Sequence, residues 1–477
     1  MTRAPSLLLA TLLLCGCALG PRHTPPAPPP AARAPFITPA PVSSAATPDH
    51  WWRLYDDPVL DALIGQAFAA NTDLRMARAN LARARGLLLE AMGGRLPGTT
   101  VSGSAVEARL AVPTPQGPVG FETPFYNLGL DMSYEIDLYG RVGSSIAATR
   151  ADAQAEAAAL DSVRITVAAE TARAYADACS ASRQRAIAEQ SLQLQTESFA
   201  LTERRVAAGR DAPLDLARAR AQLETSRAAL PGFTAARQSA LARLALLTGR
   251  APAEVEPRAA ACTMPPRLSQ PIPAGDGAAL LKRRPDIRQA ERQLAAATAR
   301  ISVAIADLFP QISLGGSISG QGVTPDAVIS QRGFAFGIGP AIRWSFPNIN
   351  TARARIRQSR AGADAALAGF DGTVLKALQE TESALADYAA TLERQAALAE
   401  ARQQSAEAAR LTRLRYAAGS EAFLAVLDAE RTLATAEAQL AETEAQLATS
   451  QIMVFKALGG GWTVQQAEGQ GHSDPET

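Results

Sequence analysis

The chain has 477 residues, a net charge of +1 and only three histidines. A balanced charge gives no sign of nucleic acid as a partner. His23, His50 and His472 all fall in terminal stretches that we expect to be disordered, so a folded site would lack the commonest metal ligand and general base. We therefore expect neither an enzyme nor a bound cofactor or metal.

The N-terminus has the features of a secretory signal peptide. Arg3 precedes an apolar run from Leu7 to Leu14, and "LCGC" occupies 14–17. The stretch "LLLCGCALGP" resembles a bacterial lipobox, which implies cleavage after residue 16 and lipid attachment to Cys17. The alternative is an ordinary signal peptide with incidental cysteines. Residues 17–50 are then a lipidated Pro-rich tether, whose composition favours extended backbone without a core.

Helical and strand patterns alternate from residue 51 onward. A helix is predicted from about Pro58 to Leu96, followed by strands at 99–112 and 125–140. No Gly or Pro occurs from Ser144 to Ala208, and an uninterrupted helix of this length spans roughly 100 Å. Glycine fits the left-handed conformation that closes many helices, so Gly209 is predicted to end this helix at the tip of a helical hairpin.

The second half of the chain repeats the first at an offset of about 210 residues. "RRVAAGRDAPLDLARA" at 205–220 corresponds to "RYAAGSEAFLAVLDAE" at 415–430, and strands at 311–323 and 333–346 precede a second long helix from about Thr351. A period this long indicates a duplicated module. We assign the first repeat to residues 51–270, the second to 271–462 and a C-terminal tail to 463–477.

The four predicted strands determine the expected assembly. Each is about ten residues long, the length at which a tilted strand crosses a bilayer. Four strands cannot close a barrel, and open edges in hydrocarbon would leave backbone groups unpaired. The sequence predicts a mainly α fold with a small β part, in which three chains would form an α-helical barrel that continues into one twelve-stranded membrane β-barrel.

Cys179 and Cys262 are the cysteines that remain after signal cleavage, apart from Cys17. An oxidising periplasm would permit a disulfide between them. Their spacing gives no evidence for one, and we expect two free thiols.

Five stretches after the tether, in this order and within a duplicated chain, resemble the TolC-like outer membrane efflux family, most closely its NodT/OprM-type lipoproteins. They are "WWRLYDDPVLDALI" at 51–64, "SYEIDLYGRV" at 133–142, "LLKRRPDIRQAE" at 280–291, "ADLFPQISL" at 306–314 and "KALGGGW" at 456–462. The resemblance implies a homotrimer in the outer membrane, anchored by lipid and extending into the periplasm. It also implies two partners, a periplasmic adaptor and an inner-membrane pump of the RND type, and an equatorial collar from about Pro231 to Asp276.

The resemblance also assigns roles to residues of the two tips. Gly209, Arg210, Gly419 and Ser420 would dock the adaptor, although the family's common Val-Gly-Leu turn is replaced by "AAGRDA" and "AAGSEA". Tyr416 and Asp215 occupy the places of a hydrogen bond that holds the inner hairpin closed. An arginine that adds an ion pair to this lock in TolC is replaced by Glu421.

Leu424, Asp428 and Arg431 follow the second tip at i, i+4 and i+7, on one face of a helix. As lumen lining they would form an apolar constriction beside an acidic ring at the narrow end. The alternative is ordinary helix packing.

The predicted function is a passive exit duct for small molecules handed over by a pump and adaptor. A duct for type I secretion or for metal-ion efflux would share the same fold. A lipid-anchored coiled-coil brace without transport would explain the helices and Cys17, but it would leave the amphipathic hairpins unexplained.

Overall fold

A computed structural model describes residues 19–113, 115, 117–268, 270–346 and 349–461. Contacts divide the chain into two units. The strand unit holds the described residues up to Ala27 together with Asn80–Ala157 and Gln289–Asp371. The hairpin unit holds Pro28–Ala79, Ala158–Arg288 and the described residues from Gly372 on. Cys17, Trp462 and the C-terminal tail with His472 lie outside the described residues.

The secondary structure follows the predicted order of elements. The strands are β1 (Val42–Ser43), β2 (Gly98–Val112), β3 (Val119–Ile136), β4 (Ile272–Pro273), β5 (Gln311–Gly322) and β6 (Phe334–Arg343). The helices are α1 (Pro58–Ala70), α2 (Thr72–Gly93), α3 (Arg141–Ala207), α4 (Pro213–Leu247), α5 (Pro257–Ala260), α6 (Gly277–Arg283), α7 (Pro285–Ala306), α8 (Pro325–Val328), α9 (Ile349–Ala417) and α10 (Phe423–Ala457). Among the described helices, none is both long enough and apolar enough to cross a membrane.

The strand unit contains one antiparallel sheet in the order β2-β3-β5-β6. Its register places Val101, Leu130, Ile318 and Phe336 in one row across the four strands. The neighbouring row holds Thr100, Asp131, Ser317 and Gly337. Because successive side chains in a strand point to opposite faces, one face of the sheet is apolar and the other carries small and polar side chains.

Most of the apolar face is exposed in the described chain. Phe336 is 75% exposed, Ile338 74% and Val101 73%, fractions that are unusual for large apolar side chains on one contiguous surface. Among the described strands, the outer strands β2 and β6 each pair with one neighbour. The predicted hairpins are therefore present, and they join into a single open sheet.

The long helices have the predicted positions and lengths. Helix α3 has 67 residues and α9 has 69. The start of α3 is fixed by Asp137, whose carboxylate accepts hydrogen bonds from the backbone N–H groups of Val142 (3.0 Å) and Gly143 (2.7 Å). A negative charge at this end also complements the helix dipole.

One predicted helix boundary differs from the structure, and the expected start of the collar lies inside a helix. The helix expected from Pro58 to Leu96 is interrupted at Asn71, whose side chain accepts from the N–H groups of Asp73 and Leu74 and so starts α2. Pro231, expected to open the collar, lies inside α4. A proline at that position costs α4 one backbone hydrogen bond, and the helix continues to Leu247.

The core of the hairpin unit gathers around the first residues after the tether. Trp51 is completely buried and stacks on Phe455, with ring centroids 4.8 Å apart. Tyr175 packs in the same cluster and donates a hydrogen bond to the Asp57 carboxylate (3.1 Å). Tryptophan buries more surface than most side chains. The stacking of Trp51 on Phe455 therefore helps to hold the C-terminal end of α10 in the core.

The expectation of a structureless tether was wrong for its described part. Strand β1 pairs in parallel with β4, and Thr47 Oγ1 donates to the Pro273 carbonyl (2.7 Å). The Glu382 carboxylate accepts from the N–H groups of Ile37 (2.8 Å) and Thr38 (3.0 Å). Extended backbone has no internal hydrogen bonds, and this segment is ordered because side chains and strands elsewhere in the unit supply them.

His23 and His50 also have partners, contrary to expectation. His23 Nε2 lies 2.6 Å from Glu291 Oε1 in the strand unit, and both side chains are largely buried. The His50 ring packs edge-on against Trp52, with centroids 5.1 Å apart.

The expectation of two free thiols was wrong as well. Cys179 of α3 and Cys262 after α5 form a disulfide, with Cα atoms 5.0 Å apart. The loop that the bond closes contains α3 from Cys179 onward, the first tip and all of α4. The repeat-related position of Cys179 in α9 is Ala389, so the second hairpin has no equivalent bond.

Candidate functional site: the hairpin tips

The two tips lie in the hairpin unit and close in the same way. Gly209 and Gly419 have φ angles of +71° and +79°. In the first tip the Arg210 N–H donates to the Arg205 carbonyl, and in the second the Ser420 N–H donates to the Arg415 carbonyl, both at 2.9 Å. This is the Schellman pattern that ends helices at a left-handed residue, and it explains why glycine occupies both positions.

Each tip also contains an ion pair, and the two ion pairs occupy equivalent positions in the two repeats. Arg205 Nε lies 2.8 Å from Asp211 Oδ2 in the first tip. In the second, Arg415 and Glu421 are 3.6 Å apart. The environments differ, because the side chains of the first pair are 17% and 9% exposed and those of the second 66% and 29%. The first ion pair is therefore the less screened by water.

Tyr416 links the two tips through this buried ion pair. Its ring is 1% exposed, and its hydroxyl donates a hydrogen bond to Asp211. The Arg205 guanidinium lies 4.3 Å from the ring centroid and donates to the Tyr416 carbonyl (3.1 Å). We call Arg205, Asp211 and Tyr416 the tip cluster.

The assignment of Asp215 as the partner of Tyr416 was wrong. Asp215 lies in the first turn of α4 and pairs with Arg218 on the same helix (3.5 Å). Asp211 precedes α4 in the turn itself, where its carboxylate reaches both Arg205 and Tyr416. The acidic partner is therefore supplied four residues earlier in the chain than the resemblance implied.

The protonation states of the tip cluster support the hydrogen bond. The hydrogen bond from Arg205 lowers the pKa of the Asp211 carboxyl below its usual value. Burial raises the pKa of Tyr416 to about 12, and its bond to Asp211 acts in the same direction. Near neutral pH the carboxylate is therefore an acceptor and the phenol a donor.

An apolar cluster supports the tip cluster from α10. Phe423, Val426 and Leu427 are buried together with Tyr416, and Phe199 of α3 packs against them. The Tyr416 and Phe423 rings lie 5.9 Å apart. The second hairpin thus packs on the first through both apolar and polar contacts.

A family model described as outer membrane efflux protein matches residues 63–250 and 278–460, which together are most of the chain. The chain belongs to the outer membrane efflux protein family. The two matched segments correspond to the two halves of the duplicated module.

Individual members of the family are similar over nearly the whole length of the chain. The outer membrane protein OprJ of Pseudomonas aeruginosa is 30% identical, and the alignment covers 96% of this chain and 95% of OprJ. The toluene efflux pump outer membrane protein TtgC of Pseudomonas putida is 30% identical, with coverage of 99% and 98%. The structure of the outer-membrane channel OprN matches with a TM-score of 0.87 at 35% identity, over 94% of this chain and 100% of that one.

These comparisons confirm the expected fold class and function. The chain is an outer-membrane efflux channel that serves as the exit duct of an efflux pump. The family and these relatives are channel proteins rather than enzymes.

The residues expected to line the lumen share one exposed face of α10. Leu424 is 56% exposed, Asp428 is exposed, and Arg431 donates to Gln222 Oε1 of α4 (2.8 Å). Phe423 and Leu427 on the other side of the helix are buried. In the single chain, Leu424 and Asp428 on this face are exposed.

Sequence reasoning missed Arg205 and Asp211. A signal for both was present in the repeat, because the offset of 210 residues relates Arg205 to Arg415 and Asp211 to Glu421. A basic and an acidic residue six positions apart in both copies indicate a contact across each turn. In the first copy this contact is the ion pair between Arg205 and Asp211.

A third residue missed from the sequence is Glu430, a buried acid between the hairpins. Its side chain is 2% exposed and lies 2.9 Å from Arg413 Nε, an ion pair without hydrogen-bond geometry. Burial raises the pKa of the Glu430 carboxyl, and Arg413, Ser198 and Gln195 offset that effect only in part. The charged form of Glu430 is therefore less favourable in the folded chain than in the unfolded chain.

Glu430→Gln should change how stability depends on pH. Because its folded-state pKa is raised, Glu430 favours folding below its unfolded pKa, and this contribution is lost as pH rises through the raised value. The difference in thermal midpoint, variant minus wild type, should be more positive at about pH 7.5 than at about pH 4.5. Glu442→Gln, at an exposed position of α10, is the control. A pH-independent difference for Glu430→Gln would contradict the assignment.

Proposed function

We propose that three chains form one outer-membrane duct whose periplasmic end is closed by the hairpin tips. The observation that carries the proposal is the open four-stranded sheet, with its largely exposed apolar face and its two outer strands. A bilayer would solvate the apolar face, but it would not satisfy the free edges of β2 and β6. Pairing β6 of one chain with β2 of the next removes every edge when the ring closes with twelve strands.

The trimer is tested by native mass spectrometry in detergent. Three chains of 49.9 kDa give a particle of about 150 kDa before processing and lipidation are counted. Proline at Ile338, on the register row that β6 shares with β5, leaves the composition of the apolar face nearly unchanged but disrupts the edge strand. We expect wild type to be trimeric and Ile338→Pro to lose the trimer. A stable wild-type monomer would contradict the proposal.

The polar face of the sheet and the exposed face of α10 would line the lumen. In a trimer, three Asp428 carboxylates would form an acidic ring, and Leu424 would provide an apolar constriction one turn away. Arg431, already bonded to Gln222, would fix the neighbouring helix. The tip cluster would hold the second hairpin against the first in the closed state.

The tips are also the proposed docking surface for a periplasmic adaptor, which would connect the duct to an RND-type pump. Gly209, Arg210, Gly419 and Ser420 are all exposed in the described chain. The turns present a basic side chain and a hydroxyl, so docking would use polar contacts. The division into repeats at residue 270 stays a prediction.

Lipid attachment at Cys17 is the remaining part of the proposal. A labelled fatty acid should be incorporated into the wild-type protein and absent from Cys17→Ala. Cys15→Ala changes the neighbouring cysteine of the signal peptide and serves as the control. Equal labelling of wild type and Cys17→Ala would contradict lipidation at this residue.

A further inference from the structure

The loop between β5 and β6 folds back over the apolar face of the sheet. Helix α8 and the residues after it lie on β5 and β3, and Ser330 Oγ donates to the Ala327 carbonyl (2.8 Å). The contact is close enough to require glycine on the strand. A Cβ atom at Gly320 would lie 1.9 Å from the Val328 carbonyl oxygen, and one at Gly322 would lie 2.3 Å from Ala327 Cβ.

A groove of about 410 Å³ separates this loop from the sheet. Val101, Leu128, Leu130 and Ile318 form its floor on the strands, and Val328 and Ile329 form its outer wall. The volume falls within the range of small-ligand sites, and the lining is mostly apolar. Ile329 is 84% exposed at the lip of the groove.

The position of the groove determines what can fill it. Neighbouring chains would pair through β2 and β6, and edge pairing leaves the faces of the inner strands β3 and β5 uncovered. The groove is continuous with the apolar face that meets the bilayer in the proposed duct, so hydrocarbon chains are the medium around it. The loop joins strand ends away from the helices, which places it toward the outer leaflet.

The loop between β5 and β6 carries one basic residue, Arg332, and one acidic residue, Asp326. Arg332 is exposed and directly follows the lining residue Gln331. A guanidinium beside an apolar groove matches a lipid with an acyl chain and a phosphate-bearing headgroup, because arginine binds phosphate through paired hydrogen bonds.

We propose that this groove is a lipid site that holds one acyl chain of a phosphate-bearing lipid of the outer leaflet, with Arg332 contacting the phosphate. The proposal rests on the bilayer placement of the sheet given under the proposed function. One such lipid per chain would fill the space between the loop and the sheet.

The site is tested by native mass spectrometry of the purified full-length protein with added lipid A. Bound lipid is counted per chain, so the measurement applies equally to a trimer and to a monomer. The same spectra report the oligomeric state separately. Wild type should retain one lipid A per chain. Ile329→Asp and Arg332→Glu should each weaken retention by roughly tenfold or more, since each removes one part of the contact. Both positions are exposed, so we expect both variants to fold.

Arg109→Glu makes the same charge change on β2 outside the groove and should retain lipid A like wild type. Dephosphorylated lipid A should bind wild type and Arg332→Glu equally, which isolates the phosphate contact. Inorganic phosphate should not displace lipid A. Equal retention by wild type and Ile329→Asp, equal losses in Arg109→Glu and Arg332→Glu, or displacement by inorganic phosphate would each overturn the proposal.

Discussion

Cells that carry Tyr416→Phe together with Asp211→Asn are expected to become sensitive to vancomycin, an antibiotic too large for ordinary outer-membrane pores. The two substitutions remove the hydrogen bond between the tips while nearly preserving the shapes of both side chains. A hydrogen bond to a charged group contributes about 1.5 to 3 kcal/mol. Losing it would shift the equilibrium of each chain toward the open state by roughly 10- to 100-fold.

Two other acidic residues near the tips provide matched controls. Asp215→Asn removes a carboxylate that pairs with Arg218 of its own helix, and Glu421→Gln breaks the exposed ion pair of the second tip. Neither residue bonds to Tyr416, so both variants should remain as resistant as wild type. If Asp215→Asn sensitises cells as strongly as Tyr416→Phe with Asp211→Asn, the tip cluster is not the lock.

Reduction of the Cys179–Cys262 disulfide is expected to cause the largest loss of stability. The bond closes a loop of 83 residues, and the chain-entropy model assigns such a loop about 4 to 5 kcal/mol. Thermal unfolding followed by circular dichroism should show a clearly lower midpoint when wild type is heated with a reductant.

The double variant Cys179→Ala with Cys262→Ala separates the bond from side effects of the reductant. It should unfold at a low midpoint that the reductant does not change. The Cys179 side chain is completely buried, so part of the loss in this variant comes from packing. If wild type has the same midpoint with and without reductant, the disulfide does not stabilise the chain.

The fold could be predicted because its determinants are local in the sequence. The absence of Gly and Pro between Ser144 and Ala208 predicts one long helix, and the structure has it at Arg141–Ala207. Alternating apolar and polar residues predict the strands, since the period of two separates the faces. Pairing between β3 and β5 follows only once both hairpins are placed in one unit.

The errors concern contacts between distant parts of the chain. Cysteines 83 residues apart give no sequence signal for the 5.0 Å between their Cα atoms. The order of the tether depends on Glu382, more than 340 residues away. At the tip, the resemblance pointed to Asp215 in the first turn of α4. The side chain that reaches Tyr416 belongs to Asp211 in the turn before the helix. The repeat held the correction, because Asp211 and Glu421 are related by the same offset as Arg205 and Arg415.

Single-channel recording in planar bilayers tests most directly whether the chain is a duct closed by its tips. Purified wild-type trimer should give small conductance steps, and Tyr416→Phe with Asp211→Asn should give larger ones at the same protein density. In a salt gradient the reversal potential of this open variant should indicate cation preference, and adding Asp428→Ala should reduce that preference, because the acidic ring is lost. Absence of conductance steps in both wild type and the open variant would contradict the account and support a structural brace.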